Sequence, residues 1–332
     1  MTVVYNKNVC LTGWHMFDEE KDRYIPLFEG AGHKRQTKTE RIRMEMKMEY
    51  HTLKNTASSC IHKTFMAAFS DYQVSVAMPL EAFERMLKRN GFMPDVSVGA
   101  FSDGVLVGFV LNGVRECNGV KTIYDLGTGV IPAFRRTGIT DRLLNLVKAI
   151  CIENQIGVYQ LEVIQNNESA VALYQKQGFQ VRRALNCYHL EGKGIETGQH
   201  TKWTLSHPHK LEEGQWTAVK RFWKYPPSWQ NETDAVCAIA DSFFYTLAEL
   251  DGELAGYGIA DKKNGDIVQL AVNPMYCRMG AATEILRDLR RQTKSSGMRM
   301  LNVDERDPTL NGFLKKTGFN VFVKQYEMVK YM

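Results

Sequence analysis

The sequence predicts an α/β (α+β) protein of two tandem domains on one plan, each a mixed, mostly antiparallel sheet flanked by helices. Three observations predict it. The first is an internal repeat: Asp103-Gly104-Val105-Leu106-Val107-Gly108-Phe109 returns as Asp251-Gly252-Glu253-Leu254-Ala255-Gly256-Tyr257, and Val130-Ile131-Pro132 as Val272-Asn273-Pro274. Arg136-Thr137-Gly138 then returns as Arg278-Met279-Gly280, and Gly178-Phe179 as Gly318-Phe319, so four landmarks recur in one order. The second is a change of hydrophobic period, from alternation to helical spacing, within each copy. The third is size: 332 residues, 44% hydrophobic and 24% charged, supply two packed cores and exclude a disordered or fibrous chain.

The elements follow in order. Residues 1–48 include the charge-rich run His33 to Lys47 and form an N-terminal extension, a candidate disordered segment with no assigned function. Met48 to Leu53 reads as a strand, and Ser58 to Phe69 as a helix capped by Ser58 or Ser59. A second helix runs from Pro79 to Asn90, with Gly91 as terminator. Val96 to Phe101 and Val105 to Val114 flank Asp103-Gly104, a hairpin signal, and Thr122 to Val130 follows the Cys117-Asn118-Gly119 turn. Ile139, Leu143, Leu144, Val147, Ile150 and Cys151 mark an amphipathic helix reaching about Asn154. Gly157 to Val163 is a buried strand, Ser169 to Gln177 a short helix ended by Gly178, and Phe179 to Leu190 a last strand. Residues 49–190 are therefore the first domain, 191–213 a linker and 214–332 the second domain.

Charge and cysteine usage narrow the function. A net charge of +5 is mildly basic, short of a dedicated nucleic-acid binder and compatible with phosphate-bearing ligands. The longest mostly apolar stretch, Val105 to Val114, is about half the roughly twenty residues a membrane span requires. Seven cysteines without a CxxC pair read as reduced, mostly buried thiols of a cytoplasmic protein. His207-Pro208-His209 lacks partner ligands in sequence, so no metal site is expected. Trp216, Trp223, Tyr225 and Trp229 read as packing between the domains.

The segment from Val130 to Thr140 carries the most chemistry. It joins a strand to a helix, where unpaired amides and the positive end of the helix dipole make an anion site. Arg135 and Arg136 suit a pyrophosphate, and Gly138 permits close approach or a positive φ. Such turns also serve as simple helix entries, so the turn alone leaves both readings open.

Val130-x-Pro132-x-x-Arg135-Arg136-x-Gly138-Ile139-Thr140 resembles the acetyl-CoA-binding motif of the GNAT acetyltransferase family, with Thr140 standing where the family has Gly or Ala. Asn167-x-x-Ala170-x-x-Leu173-Tyr174-x-x-x-Gly178-Phe179 is similar to that family's second signature. The resemblance covers residues 49–190 well and implies a weaker second copy from about residue 210. It implies direct transfer of the acetyl group of acetyl-CoA to a primary amine, with the pantetheine arm in a gap between strands Thr122–Val130 and Gly157–Val163. Backbone groups of Thr128, Gly129 and Val130 would pair with that arm, and Arg135, Arg136, Thr137, Gly138, Ile139 and Thr140 would hold the pyrophosphate. Tyr174 matches the position that protonates the departing thiolate, and Asn167 would contact the cofactor or cap its helix. Asp125 is the first candidate base and Glu162 the second, although strand alternation could turn either from the cleft.

In the second copy Cys277 takes the place of Arg135, Asp307 that of Asn167 and Leu314 that of Tyr174, while Arg278, Gly280 and Ala282 keep the turn. Leucine donates no proton, so this copy is expected to be catalytically silent. The expected partners are acetyl-CoA and a small amine, without nucleic acid or membrane, and a homodimer is open. A protein acetyltransferase acting on N-termini or lysines, and a non-catalytic binder of acyl-CoA or a metabolite, are the alternative readings.

Overall fold

A computed structural model of the chain describes residues 15–18, 23–26, 47–71, 78–117, 119–192, 202–293 and 295–332. Within the N-terminal extension, β1 (His15–Asp18) and β2 (Arg23–Pro26) pair antiparallel, apart from the main sheet; the remainder of residues 1–46 lies outside the described residues.

The first repeat runs β3 (Met48–Thr52), α1 (Ser58–Ala68), α2 (Leu80–Arg89), β4 (Val98–Ser102), β5 (Val105–Cys117), β6 (Val120–Val130), α3 (Ile139–Glu153), β7 (Val158–Ile164), α4 (Glu168–Lys176) and β8 (Gln180–Glu191). The second repeats that order: β9 (Thr204–Ser206), α5 (Glu213–Lys220), α6 (Thr233–Ala238), β10 (Phe243–Leu250), β11 (Glu253–Asp261), β12 (Asp266–Val272), α7 (Ala281–Gln292), β13 (Gly297–Asp304), α8 (Pro308–Lys316) and β14 (Asn320–Tyr331). Asp103 and Gly104 both take positive φ, as a tight hairpin turn requires, and so do Asp251 and Gly252. The expected serine cap on α1 is corrected. Ala57 is the N-cap, and the Ser58 hydroxyl instead donates to Glu84 at 2.6 Å, tying α1 to α2.

All strands from β3 onward join one sheet, in the order β3-β4-β5-β6-β7-β14-β8-β13-β12-β11-β10-β9. The repeats exchange their last strands: β14 of the second lies beside β7 of the first, and β8 of the first lies beside β13 of the second. The two exchanged strands pair antiparallel about Leu185 and Gln325, residues equally far beyond Gly178 and Gly318. The seam buries charge. Glu327 is fully buried and takes the Arg183 guanidinium at 2.6 Å, while Arg183 also reaches Asp304 and the Pro226 carbonyl. Removing either partner of such a pair strands a buried charge, so the seam ties the repeats into one body.

One core packs α3 and α4 against one face of the first half-sheet through Leu143, Leu144, Val147, Tyr159 and Leu161. A second packs α1 and α2 on the opposite face through Phe65, Phe83 and Phe109. The second repeat has an equivalent pair of cores. The six described cysteines are free, yet only Cys151 and Cys187 are buried while Cys60, Cys237 and Cys277 are exposed, which corrects the expectation of mostly buried thiols. Of the aromatic cluster, Trp229 packs between the repeats on Tyr124, whereas Trp223 bonds Tyr257 inside the second. Among the described residues no helix is long and apolar enough to cross a membrane.

Candidate active site

Strands β6 and β7 pair in parallel only from Thr122–Val158 to Tyr124–Gln160 and then diverge, opening the gap that the sequence placed between them. At the start of the gap β6 bulges. Leu126 has no partner on β5, between the Gly127–Leu111 and Asp125–Asn112 pairs, and the extra residue redirects the strand. Asp125 holds this bulge: its Oδ1 accepts from the Gly127 amide at 2.8 Å and its Oδ2 from the Thr128 hydroxyl at 2.6 Å.

Tyr174 reaches the same carboxylate from α4. Its hydroxyl donates to Asp125 Oδ2 at 3.3 Å, and its ring meets Phe179 edge-on. Asp125 is buried, and loss of water pushes its carboxyl up to about 6 against the three hydrogen bonds that favour ionisation. The acid candidate of the second signature and the base candidate of the fourth-strand position thus share one hydrogen bond beside the gap.

Glu162 belongs to the other face. Its Oε2 accepts from Gln230 at 3.1 Å and from Asn302 of β13 at 2.5 Å. Burial, and then Glu327 directly opposite on β14, push its carboxyl up to about 7. The two carboxylates therefore do not meet: Asp125 faces α4, and Glu162 faces the second repeat. Sequence reading missed Gln230 and Asn302, since no local pattern links them to β7. The Thr128 hydroxyl was also missed, although Asp followed three residues later by Thr is a spacing that supports a local side-chain turn.

The Val130–Thr140 turn has the shape expected of an anion cradle. Pro132–Phe134 forms a single 3₁₀ turn, Arg136 takes φ 62° and Gly138 φ 79°, and α3 begins at Ile139. Among the described residues no acceptor takes the amides of Arg136, Thr137, Gly138, Ile139 or Thr140, which stand at the positive end of a long helix. Arg136 is exposed at the rim. Arg135 is deployed differently: its guanidinium grips Asp71 with two bonds of 2.6 and 2.7 Å and also bonds the carbonyls of Ala68 and Val130. It braces the turn against the end of α1. Thr128, Gly129 and Val130 lie on β6 beyond the bulge; a side chain at Gly129 would strike Phe109 and Ala68, so the strand can lie this close to α1 only with glycine there. Asn167 caps α4, its Oδ1 accepting from the Ala170 amide. Residues 72–77, between α1 and α2, lie outside the described residues.

The second repeat keeps the frame. Strands β12 and β13 pair in parallel at only two positions before diverging, β12 bulges at Val268, Arg278 takes φ 63° and Gly280 φ 92°. Asp307 caps α8 through the amides of Thr309 and Leu310. The interior differs. Ile267 precedes the bulge where Asp125 stands in the first repeat, and Leu314 fills the Tyr174 position, fully buried.

Comparison with known proteins agrees with this geometry. The profile of the Acetyltransferase (GNAT) family matches twice, over residues 61–179 and 209–319. An N-alpha-acetyltransferase 50 of Danio rerio is 34% identical over 84 residues, a match spanning 25% of this chain and about half (49%) of that protein. Among solved structures, a tandem GNAT protein from the clavulanic acid biosynthesis pathway superposes with a TM-score of 0.65 at 14% identity, covering 86% of this chain and 98% of that one. A GCN5-related N-acetyltransferase from Sphaerobacter thermophilus gives 0.64 at 15%, covering 86% and 95%. At such identities the two structures speak for the fold, and the twofold profile match speaks for the family. The chain belongs to the GNAT acetyltransferase family, as a tandem GNAT protein.

Proposed function

We propose that the first repeat moves the acetyl group of acetyl-CoA directly to a primary amine, with Asp125 and Tyr174 as its proton route. The hydrogen bond from Tyr174 to Asp125 at the mouth of the gap carries this reading. The free amides of Arg136 to Thr140, with the Arg136 side chain, would hold the pyrophosphate, and Thr128, Gly129 and Val130 would offer the strand edge to the pantetheine amides. Arg135 and Asn167 position these groups, one bracing the turn and the other capping the helix that carries Tyr174. The donor supplies an acyl carbon activated as a thioester.

As the C–N bond forms and the C–S bond breaks, one proton must travel from the amine to the thiolate. Asp125, near its titration point at neutral pH, accepts from the amine side, and the Tyr174 hydroxyl donates on the sulfur side. Glu162, turned to the second repeat and bonded to Gln230 and Asn302, stays outside this proton route. No metal enters this scheme. The free thiols fit a cytoplasmic setting.

We take a small molecule as the acceptor. The relative named as an N-alpha-acetyltransferase favours a second acceptor class, the α-amine of a peptide. Calorimetric titration of acetyl-CoA into the purified chain, beside an Arg136→Glu/Gly138→Asp variant, tests the reading. One site per chain, lost in the variant, is the expected result and precedes turnover assays on small amines and free peptide N-termini. Two sites would show that the second repeat also binds the donor. No binding would overturn the reading.

A further inference from the structure

The divergence of β12 and β13 opens into a cavity of about 50 Å³, bounded on its other side by α2 of the first repeat. That volume admits a few water molecules or one small solute. Ile267, Val268 and Leu301 form an apolar floor, with Arg85, Arg89, Asp261 and Asp266 around them. The charges in this wall do not pair evenly. Asp266 is taken by Arg299 through two bonds of 2.7 and 2.8 Å. Asp261 accepts the amides of Lys263 and Asn264 and faces Arg85 at 3.7 Å.

Arg89 is left over. Its Nε and Nη2 are fixed by neutral oxygens, the Gln230 carbonyl at 2.9 Å and Asn231 Oδ1 at 3.0 Å. Among the described residues no carboxylate lies within 4 Å of it, and Nη1 makes no hydrogen bond. Burial pulls its guanidinium down to about 10, although Asp266 and Asp261 in the same wall favour the cation, so it is held at a cost. A guanidinium anchored by two of its nitrogens and open at the third is pre-organised to receive an anion.

We propose that this cavity binds a small carboxylate with a short aliphatic tail, its head on Arg89 and its tail on Ile267, Val268 and Leu301. The site joins both repeats and stands apart from Asp125 and Tyr174, so it does not depend on the catalytic reading. Sodium propionate is the probe, with sodium chloride at equal ionic strength as control. Thermal unfolding of the full chain should give a saturable rise in Tm with propionate at millimolar concentration and none with chloride. The arginine Nε–Hε NMR signal that disappears in an Arg89→Met variant should shift with the same midpoint. Arg89→Met should weaken binding at least about tenfold, and Ile267→Trp, which fills the cavity and leaves Arg89 intact, should abolish it. An equal response to chloride, no saturable rise, or undiminished binding by the Ile267→Trp variant would overturn the proposal.

Discussion

The two repeats share a backbone and differ in what fills it. Both diverge after a short parallel pairing, both carry a bulge on the strand before the gap, and both turn through a positive-φ arginine and a positive-φ glycine into a long helix. In the first, the residue before the bulge is a buried carboxylate bonded to a tyrosine. In the second the matching positions are Ile267 and Leu314, both almost wholly buried. The frame is the same with Asp and Tyr or with Ile and Leu at these positions, because backbone geometry depends on glycines, strand pairing and packing, which an Asp or a Tyr at the gap does not govern.

The comparison can be broken in three ways. The largest expected effect is on the seam that makes the repeats one body. Arg183→Ala leaves the fully buried Glu327 without its 2.6 Å partner, while Asp304 keeps Arg306, and should cost about 3–5 kcal/mol. Urea unfolding followed by fluorescent probes in each repeat should show both losing stability together; a loss confined to one repeat would mean that the exchanged strands do not couple them.

A pair of variants then separates chemistry from packing. Tyr174→Phe should lower kcat by about a hundredfold and leave acetyl-CoA affinity nearly unchanged. Leu314→Ala should leave turnover alone and destabilise the fold by about 2–5 kcal/mol. Unchanged turnover in Tyr174→Phe would remove the phenol from the mechanism.

The smallest effect is a pH dependence. The Asp125 carboxyl rises from 3.8 to about 6 on folding, so the folded state holds this proton more tightly than the unfolded one. Its contribution to stability is present below pH 3.8, declines as pH rises through the window to about 6 and is lost above it. Denaturation of Asp125→Asn and wild type across that range should show the variant gaining relative stability as pH increases. Over the same window, kcat/KM of the wild type should rise as Asp125 ionises; a profile flat through pH 6 would count against its role as base.

Much of this was legible in the sequence. The repeat, the order of the elements and the strand-turn-helix cradle all rest on local signals: Asp-Gly turns, periodic apolar residues, and glycines at positive φ. Tyr174 is marked by a signature and Asp125 by its place on the strand before Val130, but their contact is not legible, because it spans 49 positions and depends on which way the bulge at Leu126 turns the strand. Arg135 shows the limit from the other side. Its place in the cradle motif suggests a phosphate ligand, yet Asp71, sixty-four residues earlier, takes its guanidinium.

Two local grammars, period-2 strands and period-3.6 helices, were enough to give two copies of one mixed sheet, since each depends on neighbours a few residues apart. The strand exchange, the buried Arg183–Glu327 pair and the placing of Gln230 and Asn302 on Glu162 were decided only in three dimensions. A last strand finds the same alternating apolar face whether it lies beside its own repeat or its twin. Which partner it takes is settled by the packing and burial of charge at the seam, and those are properties of both halves together.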